Sequence, residues 1–458
     1  MIKYIDELPL AEDPIHQQSS DWERLDVHAR RVRILYMEPS NVKISSSIYF
    51  RIGAMRDSPL LPGLAQIYIP KNYSLDLSSA LFLASGSPFL NLVHLDGNAI
   101  ADRQFFVPFL SSLYLRSPGL THLALRGVIN TSLEPVYRFT KLQSLEIRLF
   151  NPHLHPQLLQ KLGQLRHLHD LIIDTGTIRG AATSTQPYMN PTFISDSKFT
   201  QLIRLQILGT ATSISCILSG MGGLANLTTL KIDEVWDGWS SSSIDSSWRS
   251  SFEIISTFSA IEDIEITHAP NRPRGQYVLL VSSLVPLFGV FRLNNVKSFV
   301  INFDNAVCAG SDEDFRQLAV ALPKLKKFVV PTPISYLGTN VTLGCLYHFS
   351  RECPDLRDIR INLSLNISDN LNAIKKLPHP IVRNYRHPLE KLYVESDFGQ
   401  LQPTHLVQVA RFLDLIFPNL STLETDNTKT TEVANWAGIH ELRLALRDAR
   451  IINPSGDI

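Results

Sequence analysis

Along most of the chain, apolar residues recur in one short phrase, apolar-x-x-apolar-x-apolar. It is read at Leu64-Ile67-Ile69, Leu120-Leu123-Leu125, Leu142-Leu145-Ile147, Leu168-Leu171-Ile173 and Leu202-Leu205-Ile207. It continues at Leu227-Leu230-Ile232, Ile261-Ile264-Ile266, Val296-Phe299-Ile301, Leu325-Phe328-Val330, Leu356-Ile359-Ile361 and Leu389-Leu392-Val394. Leu420-Leu423 closes the series, and Leu92-Leu95 is a degenerate copy followed by Gly97. Strict alternation over so few residues predicts a strand with one buried face. Most units then hold apolar residues at helical spacing, as in Phe315, Leu318, Ala319 and Leu322, or Leu406, Val409, Ala410 and Leu413. A strand plus a helix every 30 residues or so predicts parallel strands stacked side by side, each unit burying its apolar face only against its neighbours.

A dozen copies in register resemble the leucine-rich-repeat family, in its longer and irregular strand-plus-helix form. The resemblance covers about residues 60 to 430. It implies an α/β fold: a solenoid, or horseshoe, with strands on the concave side and helical caps at both ends. Before several strands stands an apolar residue or Cys, then Pro, as in "LPKL", "CPDL" and "FPNL". Cys353 therefore takes the slot of Leu322 and Phe417, and is read as a small buried side chain rather than a reactive thiol.

The ends carry amphipathic helical patterns. Trp22, Leu25, Ala29 and Val32 share one helical face, with Ser20 as N-cap and Glu23 as capping-box acid. Trp436, Ile439, Leu442 and Leu446 predict a closing helix. The run Asp21-Trp22-Glu23-Arg24, with Ala29-Arg30-Arg31-Val32 after it, resembles F-box proteins of mushroom-type (basidiomycete) fungi. That resemblance implies a substrate-recognition subunit of a cullin-type ubiquitin ligase. The F-box itself is expected to be missing or truncated. "ELPLAEDPI" places Pro14 where a helix should run, and about 20 residues precede the cap. Docking to a cullin adaptor is expected only with a complete F-box upstream. The division expected is a linker or F-box remnant over 1–20, a capping region over 21–60, the repeat array over 61–430, and a closing helix and tail over 431–458.

Lys+Arg and Asp+Glu both number 43, so no basic footprint points to nucleic acid or to a membrane surface. No apolar run reaches membrane-span length, and no signal-peptide pattern opens the chain. Four cysteines without a C-x-x-C spacing predict reduced thiols in a cytoplasmic or nuclear monomer. Neither phosphate-binding glycine motif nor a G-x-S-x-G elbow is present. His153, His155, His167 and His169 invite a zinc reading, but one residue within each pair suits neither a helical i, i+4 site nor a finger. They are read as surface histidines. No cofactor, metal or catalytic residue is expected, and the leading expectation is a non-enzymatic scaffold for a protein partner. A repeat module without any ligase connection is the rival, and an enzyme the distant third.

Candidate partner residues fall in two groups. Asp170, Asp174, Asp233, Asp263 and Glu265 occupy outward strand positions and predict a mildly acidic concave centre, with Arg204 and Lys231 interspersed and Arg126 and Arg148 on its N-terminal side. Its alternative is an ordinary solvated face. Two long stretches, 175–198 and 235–251, are expected to be loops leaving the same strand edge. The second carries Trp236, Trp239 and Trp248. Those tryptophans either form the rim of a partner site or fold back on the convex side.

Overall fold

The structure is a computed structural model, and it describes residues 19–36, 59–69, 87–96, 103–128, 133–150, 156–174, 199–235, 241–268, 279–281, 293–302, 306–308, 310–330, 341–364, 366–377, 387–395, 401–425 and 430–452. The chain divides into two units, Met1–Leu149 and Phe150–Ile458. Both are built from leucine-rich-repeat turns, in which parallel strands alternate with helical segments.

The local cause of each turn is visible in its hydrogen bonds. The residue three before the strand's first leucine is buried, and its carbonyl accepts the N–H of that leucine, as in Leu64 to Leu61, Leu120 to Ser117, Leu325 to Leu322, Leu356 to Cys353 and Leu420 to Phe417. Six of these turns carry Pro in second position, at 62, 88, 118, 323, 354 and 418. Proline presets φ for that position of a type I or II turn. The next strand is then docked by a repeated fork: one carbonyl accepts two successive N–H groups, for example Lys326 and Lys327 to Lys297, then Arg357 and Asp358 to Lys326.

In the first unit, α1 (Ser19–Ala29) precedes β1 (Ile34–Tyr36), β2 (Gln66–Ile69), β3 (Leu92–Asp96), α2 (Arg103–Arg116), β4 (His122–Val128), a 3₁₀ turn (Glu134–Arg138) and β5 (Ser144–Phe150). The strands neighbour one another in chain order. Their inward residues, Ile67, Ile69, Val93, Leu95, Leu123, Leu125, Leu145 and Ile147, are at most 2% exposed. The cap closes over Gly63, where a Cβ would stand 2.5 Å from the Arg30 carbonyl. Arg33 Nη1 donates to the Gly63 carbonyl at 3.0 Å. Ala29 is fully buried, as expected, whereas the Trp22 and Leu25 side chains lie outside what is described.

The second unit runs α3 (Pro156–Leu162), β6 (Asp170–Asp174), β7 (Arg204–Gly209), α4 (Ala211–Gly220), β8 (Thr229–Glu234), α5 (Ser241–Ile255), β9 (Asp263–His268) and β10 (Leu279–Val281). It continues with β11 (Ser298–Asn302), β12 (Ala306–Cys308), α6 (Asp312–Ala321), β13 (Lys327–Val330), α7 (Gly344–Glu352) and β14 (Asp358–Asn362). The last elements are α8 (Ile367–Lys376), β15 (Lys391–Glu395), α9 (Pro403–Ile416), β16 (Thr422–Glu424) and α10 (Thr430–Ile452). The main sheet follows chain order, while β10 and β12 pair as a separate parallel ribbon that the one-strand reading of each repeat does not predict. Helix α6 starts on a capping box, Ser311 with Asp314. Asp312 then accepts from the Thr342 amide and hydroxyl, and fully buried Asn370 accepts from the Leu343 amide, so buried polar groups tie α6, α7 and α8 together. Helix α10 closes the unit with Trp436 and Ile439 buried. Arg443, also buried, donates through Nη2 to the carbonyl of Leu420 in the last turn.

One expected loop is a helix. Over 241–251 the chain is helical and continues to Ile255. Ile244, Trp248, Phe252 and Ile255 stand at spacings of four, four and three, a helical stripe that a boundary at Ser251 cuts in half. The other expected loop, 175–198, lies outside the described residues.

A candidate partner-binding sheet face

Alternation in the strands of the second unit sends Leu and Ile inward and leaves a row of polar residues on the open side. The burial pattern confirms the outward placement of Asp170 and Asp174 on β6, Asp233 on β8, and Asp263 and Glu265 on β9. Register then sets their neighbours. Asp170 faces Arg204, with Arg204 Nε 3.5 Å from Asp170 Oδ1. Lys231 faces Glu265 at 3.0 Å and stands 4.0 Å from Asp233. Asp233 also accepts from Gln206 Nε2 at 2.6 Å and from the Thr267 hydroxyl. Most of these acids are thus already met by partners from the next strand, which favours the solvated-face reading for them. Exposed ion pairs of this kind stabilise little by themselves.

Asp263 differs. Burial, then the adjacent Glu262 carboxylate, pushes its carboxyl above the usual range, and Lys297 only partly offsets this. Lys297 is itself held by Glu262 at 2.7 Å. Further along the same face the charge changes sign, with Lys326 and Lys327 at β13, Arg357 and Arg360 at β14, and Lys391 at β15. Among them sits Asp358, raised by burial while Lys327, Lys391 and Arg360 pull it back down. These cations escape a search for acidic positions, although the outward slot of each repeat, one residue either side of the second apolar position, marks Lys327, Arg360 and Lys391 in the sequence, and Lys326 and Arg357 stand just before the strands.

The first unit carries a different outward face. Tyr36, Tyr68 and His94 form a ladder across β1, β2 and β3, with ring centroids 5.8 and 5.7 Å apart. Ile34 and Tyr36 are 57% and 60% exposed. The signal was available at the residue between the two inward strand positions. Reading 34–36 as the end of the cap rather than as a strand hides it. Arg126 donates to Glu146 through Nε at 2.5 Å and Nη2 at 3.1 Å, and Arg148 Nε also lies 2.5 Å from Glu146. Both arginines therefore serve a local ion-pair cluster.

The tryptophan group is split. Trp236 and Trp239 lie outside the described residues. Trp248 is 6% exposed, its ring 5.6 Å from Phe252, and its Nε1 donates to the buried Glu234 at 3.4 Å. Trp248 is a core residue of α5, and its assignment to a partner-site rim is corrected: at helical spacing from Phe252 and Ile255 it turns inward with them.

Cys353 occupies the slot expected of it. Leu322, Cys353 and Phe417 each close a helix, and all three are fully buried. The Cys353 thiol points at the carbonyls of Leu322 and Ala319 at 3.4 and 3.5 Å, and burial pushes it up to about 12. Cys345 is fully buried and raised likewise, chiefly by burial and then by Asp312. Thiolate, not thiol, is the nucleophile. A disulfide reagent applied to the native protein is therefore expected to leave these two cysteines unmodified until denaturant is added. Mass spectrometry showing either one modified within minutes would contradict this.

His167 and His169 are surface and half-buried residues at the turn before β6, and His153 and His155 lie outside the described residues. Among the described residues, no group of three His, Cys, Asp or Glu side chains could hold a metal ion. Nor is any helix among them long and apolar enough to cross a membrane.

No family model matches the chain, and no curated protein matches it. Among solved structures it is similar to the Rad7 and Elc1 complex in yeast, at 15% identity and a TM-score of 0.38, over 83% of this chain and 82% of that one. It is also similar to a leucine-rich-repeat protein of Leptospira interrogans, at 11% identity and a TM-score of 0.33, over 87% of this chain and 97% of that one.

Proposed function

We propose that this chain is a non-enzymatic scaffold that holds a protein partner on its open sheet face. One observation carries the reading: from β6 to β16, half-exposed polar side chains stand on strands fixed by the forked hydrogen bonds, so the display is rigid before any partner arrives. Preorganisation lowers the ordering cost of binding. The acids Asp170, Asp174, Asp233, Asp263 and Glu265 belong to this face, and Trp236 and Trp239 remain candidates for its rim. A finer reading rests on the helix Ser19–Ala29 and its Asp-Trp-Glu-Arg run. It makes the chain the substrate-recognition subunit of a cullin-type ubiquitin ligase, acting in the cytoplasm or nucleus.

Proximity labelling with the chain as bait, followed by binding of the purified proteins, tests both levels. A partner retained at micromolar concentration or tighter, with no chemical change in it, is the expected result. Co-purification of a cullin adaptor supports the ligase reading. A partner retained without adaptor supports a stand-alone repeat module instead, and no retained partner overturns the scaffold.

A further inference from the structure

The scaffold reading leaves the chemistry of the partner open, and the charge order on the open face of the second unit narrows it. On β9 and the residue before it, Glu262, Asp263 and Glu265 place three carboxylates within four positions. On β13 and β14, the register puts Lys327 in line with Asp263, two strands away through Ser298. It puts Arg360 in line with Glu265, three strands away through Val300 and Val329. An acidic strip and a basic strip are therefore separated by a short uncharged one made of Ser298, Val300 and Val329. Neighbouring strands lie about 4.8 Å apart, so the strips are roughly 10 to 14 Å from each other.

Local pairing does not cancel this order. Lys297, which lies between the strips, is bonded back to Glu262. Lys231 approaches Glu265 from the other side. Asp263 keeps a carboxylate that burial and Glu262 both disfavour, so an incoming cation would relieve it. On the basic side Asp358 is set among Lys327, Lys391 and Arg360, and Glu390 lies 3.7 Å from Arg357, so two acids stand among the five cations Lys326, Lys327, Arg357, Arg360 and Lys391. Lys326 and Lys327 are exposed.

We infer that this face takes a bipolar protein segment lying across β9 to β14 in extended form. A cationic side chain sits over Asp263 and Glu265, small or apolar side chains over Ser298, Val300 and Val329, and an anionic side chain over Lys327 and Arg360. An extended chain advances about 3.3 Å per residue, so its opposite charges stand three or four residues apart. The inference rests on the scaffold reading and adds to it the sign, order and spacing of the partner's charges. Opposed patches of this kind set register and exclude wrong partners more than they add affinity.

The probes are fluorescein-labelled peptides, Lys-Lys-Val-Ser-Val-Glu-Glu, its reversed sequence, and the interleaved isomer Lys-Glu-Val-Ser-Val-Lys-Glu, read by anisotropy on the full chain. One direction of the bipolar peptide is expected to bind roughly fivefold more tightly than the isomer, the effect of one or two exposed ion pairs. High salt should close the gap. The double change Lys326→Glu with Lys327→Glu should abolish the preference and strengthen binding of the all-basic Lys-Lys-Val-Ser-Val-Lys-Lys, a gain that damage to the fold cannot imitate. Equal binding of the isomers, or none at millimolar peptide, overturns the assignment. So does a captured partner that binds the wild-type and double-variant chains alike, and that outcome leaves the scaffold reading standing. Failure to capture any partner counts against the scaffold itself.

Discussion

Replacing Ile359 by alanine is expected to cost about 2–5 kcal/mol, the range for deleting a buried aliphatic side chain where the surroundings relax only in part. Ile359 is fully buried and sits in register between Phe328 on β13 and Leu392 on β15, both fully buried as well. Each repeat buries its apolar face only against its neighbours, so the loss spreads along the array instead of staying at β14. Hydrogen exchange should show protection falling in Lys327–Val330 and Lys391–Glu395 together with Asp358–Asn362. A control at Leu115, which is 77% exposed, should change stability by no more than about 0.5 kcal/mol. Unchanged protection on both sides of an Ile359→Ala site would mean that the repeats fold as independent pieces, and the stacked reading would fail.

The strand columns were legible because their period is enforced: a slip of one residue would turn every apolar side chain into water. Leu230, Ile264, Phe299, Phe328 and Ile359 stand where alternation puts them. The outward acids were legible for the same reason. Their electrostatic meaning was not, because it depends on which strand lies beside which. Glu265 and Lys231 are far apart in sequence and meet only through register. Helix α5 was missed for a local reason. Serine competes with the helix for backbone hydrogen bonds, and eight serines over 240–251 outweighed three or four apolar residues at helical spacing. The ribbon of β10 and β12 spans three residues on each side, too short for any period to appear.

The slot column explains one more residue that periodicity leaves aside, and it yields a pH dependence. In twelve turns the slot residue stands three before the first leucine of its strand, but at His387 the turn is one residue shorter. The missing backbone bond is replaced by the imidazole: the Leu389 N–H donates to His387 Nδ1 at 3.3 Å. Nδ1 must therefore be the acceptor, so the ring proton is on Nε2, which faces the Cys353 carbonyl at 3.1 Å. The ring packs 4.9 Å from Phe417 and the residue is 1% exposed. Burial pushes its pKa from 6.5 to about 4, against a smaller opposite pull from the Cys353 carbonyl. Between those two values the unfolded chain binds a proton that the folded one refuses. His387 therefore contributes stability that is fully present above about pH 6.5 and is lost as pH falls towards 4, for a loss of about 3 kcal/mol. Glutamine can imitate the neutral ring, offering an amide N–H to Cys353 and a carbonyl to Leu389, without titrating. In urea unfolding read by exchange of β14, β15 and β16, His387→Gln is expected to flatten the decline between pH 6.5 and 4. His348 and His440, both lowered by burial, leave a residual slope of the same sign in both proteins. If the variant declined as steeply as the wild type, the imidazole would not be the group that couples the array to pH.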